Sequence, residues 1–406
     1  MKRQSQTSSN GPYWVSKLNL RPGMGSGFNR SRIVRFYDTT LRDGEQTVGV
    51  VFDPKTKLAI ARKLDELGVS RIEAGFPKVS AEDAEAMRHI LAAGLKAEVW
   101  GFARATKDDV DVLLQLKAPA AVIEVPTSDI KLKAYGLTRD EVVRRATTAI
   151  RHAADHGLKV AFFAVDGTRT ELTFLKTIYQ AALESGASEV VVVDTIGVCT
   201  PEAIYFLVSK VCEWVGKKTP VHFHGHNDFG LATASAIAAV RAGATWIQGT
   251  INGMGERAGN ADIGEIALAL QGLYGIPVQL RLEKIREVSQ AVRQAAGYQL
   301  EPWKPLVGEN LFMRESGAVA SQFHIPEAIE PYAASVVAAK RQIVLGKKSG
   351  LDSIDQKSRE LGLDLPQDQR QAALAAVKQK GIEKRGLVTD DEFREIVLAL
   401  SARAVP

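Results

Sequence analysis

Cysteine is nearly absent: Cys199 and Cys212 are the only two, and neither belongs to a Cys-x-x-Cys pair. A disulfide framework or a thiolate zinc site therefore does not organise this chain. Cys199 reads as a small loop residue rather than a nucleophile, because it has no paired histidine. No apolar run approaches membrane-spanning length, and the first 30 residues lack the apolar core of a signal peptide, so the cytoplasm is the expected compartment. Charge of one sign is not gathered either. The net charge of +5 is spread along the chain, which argues against nucleic-acid binding and leaves basic residues for an anionic substrate or a CoA-type ligand. Charged residues at 24% and apolar residues at 45% are ordinary for a globular protein.

Histidine is scarce too, and its distribution is informative. Of seven histidines, His222, His224 and His226 fall within five residues, after the apolar lead-in Pro220-Val221. A strand's period of two turns all three to one face. Two neutral imidazoles at i, i+2 can take adjacent coordination sites on a divalent ion. Core imidazoles can also cluster, so the motif alone leaves a structural role open.

Short β-branched or aromatic runs alternate with amphipathic stretches. The runs are Ile33–Tyr37, Arg71–Gly75, Glu98–Phe102, Val122–Val125, Lys159–Phe163, Val190–Asp194, Val221–His224 and Thr245–Gly249. Helices are predicted near 54–68, 80–93, 106–117, 138–157, 170–186, 200–215, 230–243 and 262–274, with Ser80, Thr106, Thr138 and Thr200 as N-caps. Eight such units predict an α/β (β/α)8 TIM barrel. An open doubly wound sheet is the alternative, but no G-x-G-x-x-G follows the first strand. The expected organisation is an extension at 1–31, the barrel at 32–278, a linker subdomain at 279–345 and a small helical subdomain at 346–406.

In a barrel, chemistry lies at the C-terminal ends of the strands. Polar residues gather there: Asp38 to Gln46, Glu73, Arg104, Pro126 to Asp129, Asp166 to Arg169, Asp194 to Gly197, the histidines, and Asn252 to Asn260.

With Thr40-Leu41-Arg42-Asp43-Gly44-Glu45-Gln46, His224-Gly225-His226-Asn227-Asp228, Asp194-Thr195-Ile196-Gly197 and Gly253 to Asn260, the chain resembles the DRE-TIM metallolyases. Glu315-Ser316-Gly317 and Gly346-Lys347-Lys348-Ser349-Gly350 extend the likeness, which spans roughly 32–352 and is nearest the Claisen-condensing branch of homocitrate and 2-isopropylmalate synthases. The resemblance implies a divalent ion (Mg²⁺, Mn²⁺ or Zn²⁺) on Asp43, His224 and His226, with Asn260 near or on it. It implies acetyl-CoA and a 2-oxo acid as substrates, and a homodimer. His222 lies outside the family pair and reads as structural. Arg42 matches the family's enolate-stabilising arginine; the alternative is a salt bridge to a strand-end carboxylate. Gln46, Thr127, Ser128 and Thr195 are candidate substrate contacts or loop-capping groups, and Asp129 a possible turn former. The expected enzyme is an acyltransferase converting acyl to alkyl on transfer, with a carbon–carbon lyase or aldolase of the same superfamily, or a non-catalytic descendant, as alternatives.

Three departures from the family pattern bear on proton transfer. Ala318 and Val319 stand where the branch has Ile-His, Lys348 replaces a histidine, and Val165 replaces the glutamate of a Glu-Asp pair. His324 is the candidate replacement, with a helix-cap role as its alternative. Arg104, Lys131, Lys133, Lys347 and Lys348 suggest an acceptor with extra negative charge, such as oxaloacetate or a phosphonopyruvate; a solvated lysine face is the bland option. The long leucine-sensing domain of typical isopropylmalate synthases is not found, so that feedback is not expected.

Overall fold

The computed structural model describes residues 11–31 and 33–403; the first ten residues of the expected extension lie outside the described residues. The chain forms two compact units, Lys17–Gln299 and Met1–Ser16 with Leu300–Pro406. Among the described residues, no helix is long and apolar enough to cross a membrane.

The larger unit is a closed parallel barrel of eight strands in chain order. They are β1 (Arg35–Asp38), β2 (Arg71–Glu73), β3 (Glu98–Arg104), β4 (Ala120–Pro126), β5 (Lys159–Val165), β6 (Glu189–Asp194), β7 (Val221–Gly225) and β8 (Trp246–Gly249). Pairing of β1 with β8, from Arg35↔Trp246 to Asp38↔Gly249, closes the cylinder and excludes the open sheet. Strands covered on both faces need mostly apolar side chains, and polar residues enter them chiefly near their ends and in β7, where His222 and His224 alternate with Val221 and Phe223. Every second residue points inward: Tyr37, Trp100, Phe102, Ala120, Val122, Ala161, Phe163, Val191, Val193 and Trp246 fill the interior.

The helices start where the sequence placed their caps. The side chains of Ser80, Thr106, Thr138 and Thr200 each accept a backbone N–H from the first turn. One helix is additional: Asp129–Tyr135 follows β4, and Ser128 Oγ accepts the Lys131 N–H at its start. Asp129 is its first residue instead of a turn former. Helix Ile285–Ala296 was expected in the linker. It packs on helix Pro54–Leu67 through Ile285, Val288 and Val292, with Lys63 Nζ 2.6 Å from Glu287, so residues to 299 belong to the barrel unit.

At the N-terminal end of the barrel lies a charged layer. Arg71 makes a bidentate pair with Glu189 (2.6 and 2.9 Å) and is sandwiched between Trp100 and Trp246 at 4.4 and 3.6 Å. His222 bonds to Glu189 and, at 3.2 Å, to Gln248. It therefore sits in a structural network. Burial pushes its pKa below the usual imidazole value, against the pull of Glu189.

The smaller unit has its own core of Leu345, Ile354, Ala373, Val377, Val388, Phe393 and Val397. Helices Leu351–Glu360, Arg370–Lys384 and Asp390–Arg403 carry most of it, in line with the apolar spacing of the sequence. Residues 300–345 join this unit through the short parallel pair Met313–Arg314 and Gln342–Ile343.

Candidate active site

β1 delivers a tight turn. The backbone N–H groups of Arg42, Asp43 and Gly44 all donate to Thr39 O, at 3.1, 2.9 and 3.0 Å, and this turns the Asp43 side chain back over the strand end. Asp38 anchors the turn by accepting from Thr40 N and Oγ1, both at 2.9 Å. Burial raises the Asp38 carboxyl to about 7 despite these bonds.

β7 supplies His224, and His226 just beyond it bridges to Asn260. His224 Nε2 lies 3.1 Å and His226 Nε2 3.5 Å from Asp43 Oδ2, and the two nitrogens are 3.3 Å apart. All three side chains are buried. Burial alone would raise the Asp43 carboxyl, but Arg42 and the two histidines hold it well below the usual carboxylate range. Burial pushes His226 down to about 4, which makes it neutral at pH 7. An ionised carboxylate and a neutral imidazole thus turn lone pairs toward a shared point. Asp43 Oδ2 and Asn260 Oδ1 are buried there without a hydrogen-bond partner among the described residues. Such convergence is costly in a low-dielectric interior unless a cation lies within it. The donor set of two nitrogens and a carboxylate oxygen, with a carboxamide oxygen at hand, fits a divalent metal.

Asn260 is held by its loop. Its Nδ2 donates to Met254 O at 3.2 Å, which leaves Oδ1 free. Gly259 has φ +86°, and a Cβ there would stand 2.0 Å from Gly253 O. Only glycine permits this approach.

Arg42 forms the strand-end salt bridge considered as its alternative role. Its Nε donates to Glu73, which also accepts from Tyr37 Oη at 2.7 Å, so the strand-end salt bridge is formed. Yet Nη2 is buried and unpaired among the described residues. The guanidinium lies 4.2 Å from the centre of the Phe102 ring, and it is held as a cation because Glu73 and Asp43 outweigh burial.

The other predicted residues are placed differently. Gln46 is exposed and lines a cavity of about 530 Å³ with Arg42, Phe52 and Phe76. The hydroxyls answer the loop-capping alternative. Thr127 Oγ1 donates to Val165 O at 3.0 Å, Ser128 Oγ bonds to Asp166, and Thr195 Oγ1 accepts the Asp166 N–H at 2.7 Å. Arg104 forms a bidentate pair with Asp109 at 2.8 and 2.9 Å. His324 is exposed on a turn of the smaller unit, and Lys348 lies 3.5 Å from Glu315.

Glu124 escaped sequence reasoning. It is the one charged residue in Ala120–Pro126, and strand alternation sets it on the inward face with Ala120 and Val122. An acid inside an otherwise apolar strand was the available signal.

Residues 33–292 match the HMGL-like family model. The homocitrate synthase AksA of Methanopyrus kandleri is 44% identical over 363 residues, covering 89% of this chain and 91% of that protein. A putative (R)-citramalate synthase CimA of the same organism is 43% identical over 365 residues, or 89% and 72% of the two chains. The 2-isopropylmalate synthase of Methanocaldococcus jannaschii is 41% identical over 372 residues, or 90% and 71%. Among solved structures, the HMG-CoA lyase of Bacillus subtilis superposes with a TM-score of 0.61 at 19% identity, covering 69% of this chain and 98% of that one. At that identity the likeness is one of fold.

Proposed function

We propose, since this chain belongs to the HMGL-like family, that it is a metal-dependent acyltransferase of the condensing branch, joining acetyl-CoA to a 2-oxo acid and releasing CoA. The observation that carries this reading is the convergence of Asp43, His224 and His226 beside the unpaired N–H group of Arg42. A divalent ion held by those three, with Asn260 beside it, supplies Lewis acidity toward the acceptor's keto group. Arg42 supplies a fixed cation for the enolate oxygen of the thioester. It sits in a water-poor site where its charge needs no reorganisation. Phe102 and Glu73 hold the guanidinium still while Nη2 remains available. After carbon–carbon bond formation, water cleaves the thioester to a carboxylate and free CoA.

Of the basic residues considered for an acceptor with extra negative charge, Arg104 is paired with Asp109 and Lys348 with Glu315, while Lys131 and Lys133 have no carboxylate partner among the described residues, so such an acceptor stays within the proposal. A homodimer in the cytoplasm completes the proposal. The scarcity of cysteine and the lack of a Cys-x-x-Cys pair support a reducing compartment, and light scattering at twice the 44.0 kDa chain mass would support the dimer.

Free thiol measured with acetyl-CoA and a panel of 2-oxo acids tests the activity. Release of one CoA per 2-hydroxy diacid formed is the expected result. Cleavage of a hydroxyacyl-CoA without acceptor-dependent thiol release would instead make the protein a lyase.

A further inference from the structure

Almost every carboxylate around the mouth of the barrel has a partner. Asp38 is taken by Thr40, Glu45 by Lys57 and Glu73 by Arg42. Asp109 is taken by Arg104, Asp166 by Arg169 and Asp228 by Arg257. Asp194 accepts from Thr168 and from the backbone of Val198 and Cys199. Glu124 is different. Its side chain has no hydrogen bond and no ion pair among the described residues, although its backbone carbonyl accepts the Ala105 N–H at 3.1 Å.

Its position is well defined. In the register Glu124 stands between Arg104 of β3 and Phe163 of β5. Phe163 in turn stacks edge-on against His224 at 5.3 Å. Glu124 and Val165 line one cavity of about 290 Å³. Val165 pairs with Pro126, two residues along β4 from Glu124. The carboxylate missing at 165 therefore has a counterpart one strand away, facing the same space.

Resting on the condensing activity proposed above, we infer that Glu124 is the carboxylate that accepts the α-proton of the acetyl thioester. The methyl C–H bond breaks and its proton passes to a Glu124 oxygen. The electron pair moves into the enolate, whose oxygen is met by Arg42. The enolate carbon then bonds to the keto carbon of the acceptor, and the Glu124 proton passes to the oxygen that becomes the product hydroxyl. The carboxylate is regenerated, and no outside reagent is required.

The surroundings suit the task. Burial pushes Glu124 up to about 7, with Arg42 and Arg104 lowering it and Asp109 and Glu73 raising it. Tyr135 and Arg145 share its cavity, while β5 offers only Phe163 and Val165. A base is most effective when its pKa lies near the working pH.

The experiment compares wild type, Glu124→Gln and Glu124→Asp in acceptor-dependent thiol release across pH, with bound metal and thermal unfolding followed in parallel. For Glu124→Gln, kcat is expected to fall about 100-fold, the scale of a lost general base, with metal content and acceptor KM nearly unchanged. The wild-type acid limb near 7 should vanish in this variant, and methyl-deuterated acetyl-CoA should give it a larger isotope effect. Glu124→Asp should recover part of the rate. A Glu124→Gln enzyme that keeps most of its kcat, or keeps the acid limb, overturns the assignment while leaving the condensing activity intact. If Glu124→Gln does not fold, Glu124→Asp decides: a folded enzyme with wild-type kcat and pH profile also overturns it. Wild type that releases no thiol with any 2-oxo acid removes the parent activity, and this role with it.

Discussion

At the residue scale, the site couples a carboxylate and two imidazoles to one arginine. Arg42→Lys keeps the charge but loses the planar fork that reaches Glu73 and still presents Nη2. We expect kcat to drop about 100-fold with metal content unchanged, measured by thiol release and elemental analysis. Equal loss of metal would instead make Arg42 a support for Asp43. Asp38 gives a pH prediction. Burial holds its folded pKa at about 7, above the ordinary carboxyl value of 3.8, so the native state binds this proton more tightly. Its contribution is present below 3.8 and is lost as pH rises through about 7. Asp38→Asn, which cannot ionise, should gain in Tm relative to wild type as pH is raised from about 4 to about 8 in calorimetry. A constant difference would reject this.

At the element scale, the loops do what the strands alone cannot. Gly259→Ala would set its Cβ against Gly253 O and displace Asn260. Metal affinity should fall by roughly tenfold or more in isothermal titration, with the barrel still folded by circular dichroism. Unchanged affinity would separate Asn260 from the ion. Much of this was legible in the sequence. Most strands are short runs rich in apolar, aromatic or β-branched residues, and hydroxyl caps mark several helix starts, so local chemistry and fold agree. The convergence of Asp43 with His224 and His226 across some 180 residues was visible only through motif resemblance. Helix Asp129–Tyr135 was missed because seven residues carry too little periodicity. The engagement of Thr127, Ser128 and Thr195 by neighbouring loops depends on strand order, which no local pattern encodes.

At the scale of the whole molecule, two separate cores predict separable stabilities. Phe393 is fully buried in the smaller unit. Phe393→Ala should cost that unit about 3 kcal/mol or more, while the affinity of the barrel for its ion stays as in wild type. Calorimetry and metal titration on the same preparation check both halves, and parallel loss would mean a single cooperative unit. The extent of the barrel unit also shows what linear reading misses. Helix Ile285–Ala296 belongs with the barrel because its apolar stripe meets helix Pro54–Leu67, a contact more than 200 residues distant in sequence.

The charged layer formed by Arg71, Glu189 and His222 has a historical consequence. Glu189 holds Arg71, His222 and Lys159 at once, so its removal takes a partner from each, at several kcal/mol in a dry interior. Loss of His222 leaves Glu189 with Arg71 and Lys159, and loss of Arg71 leaves it with His222 and Lys159. Over generations the base of this cylinder can be rewritten around that one acid, but not through it.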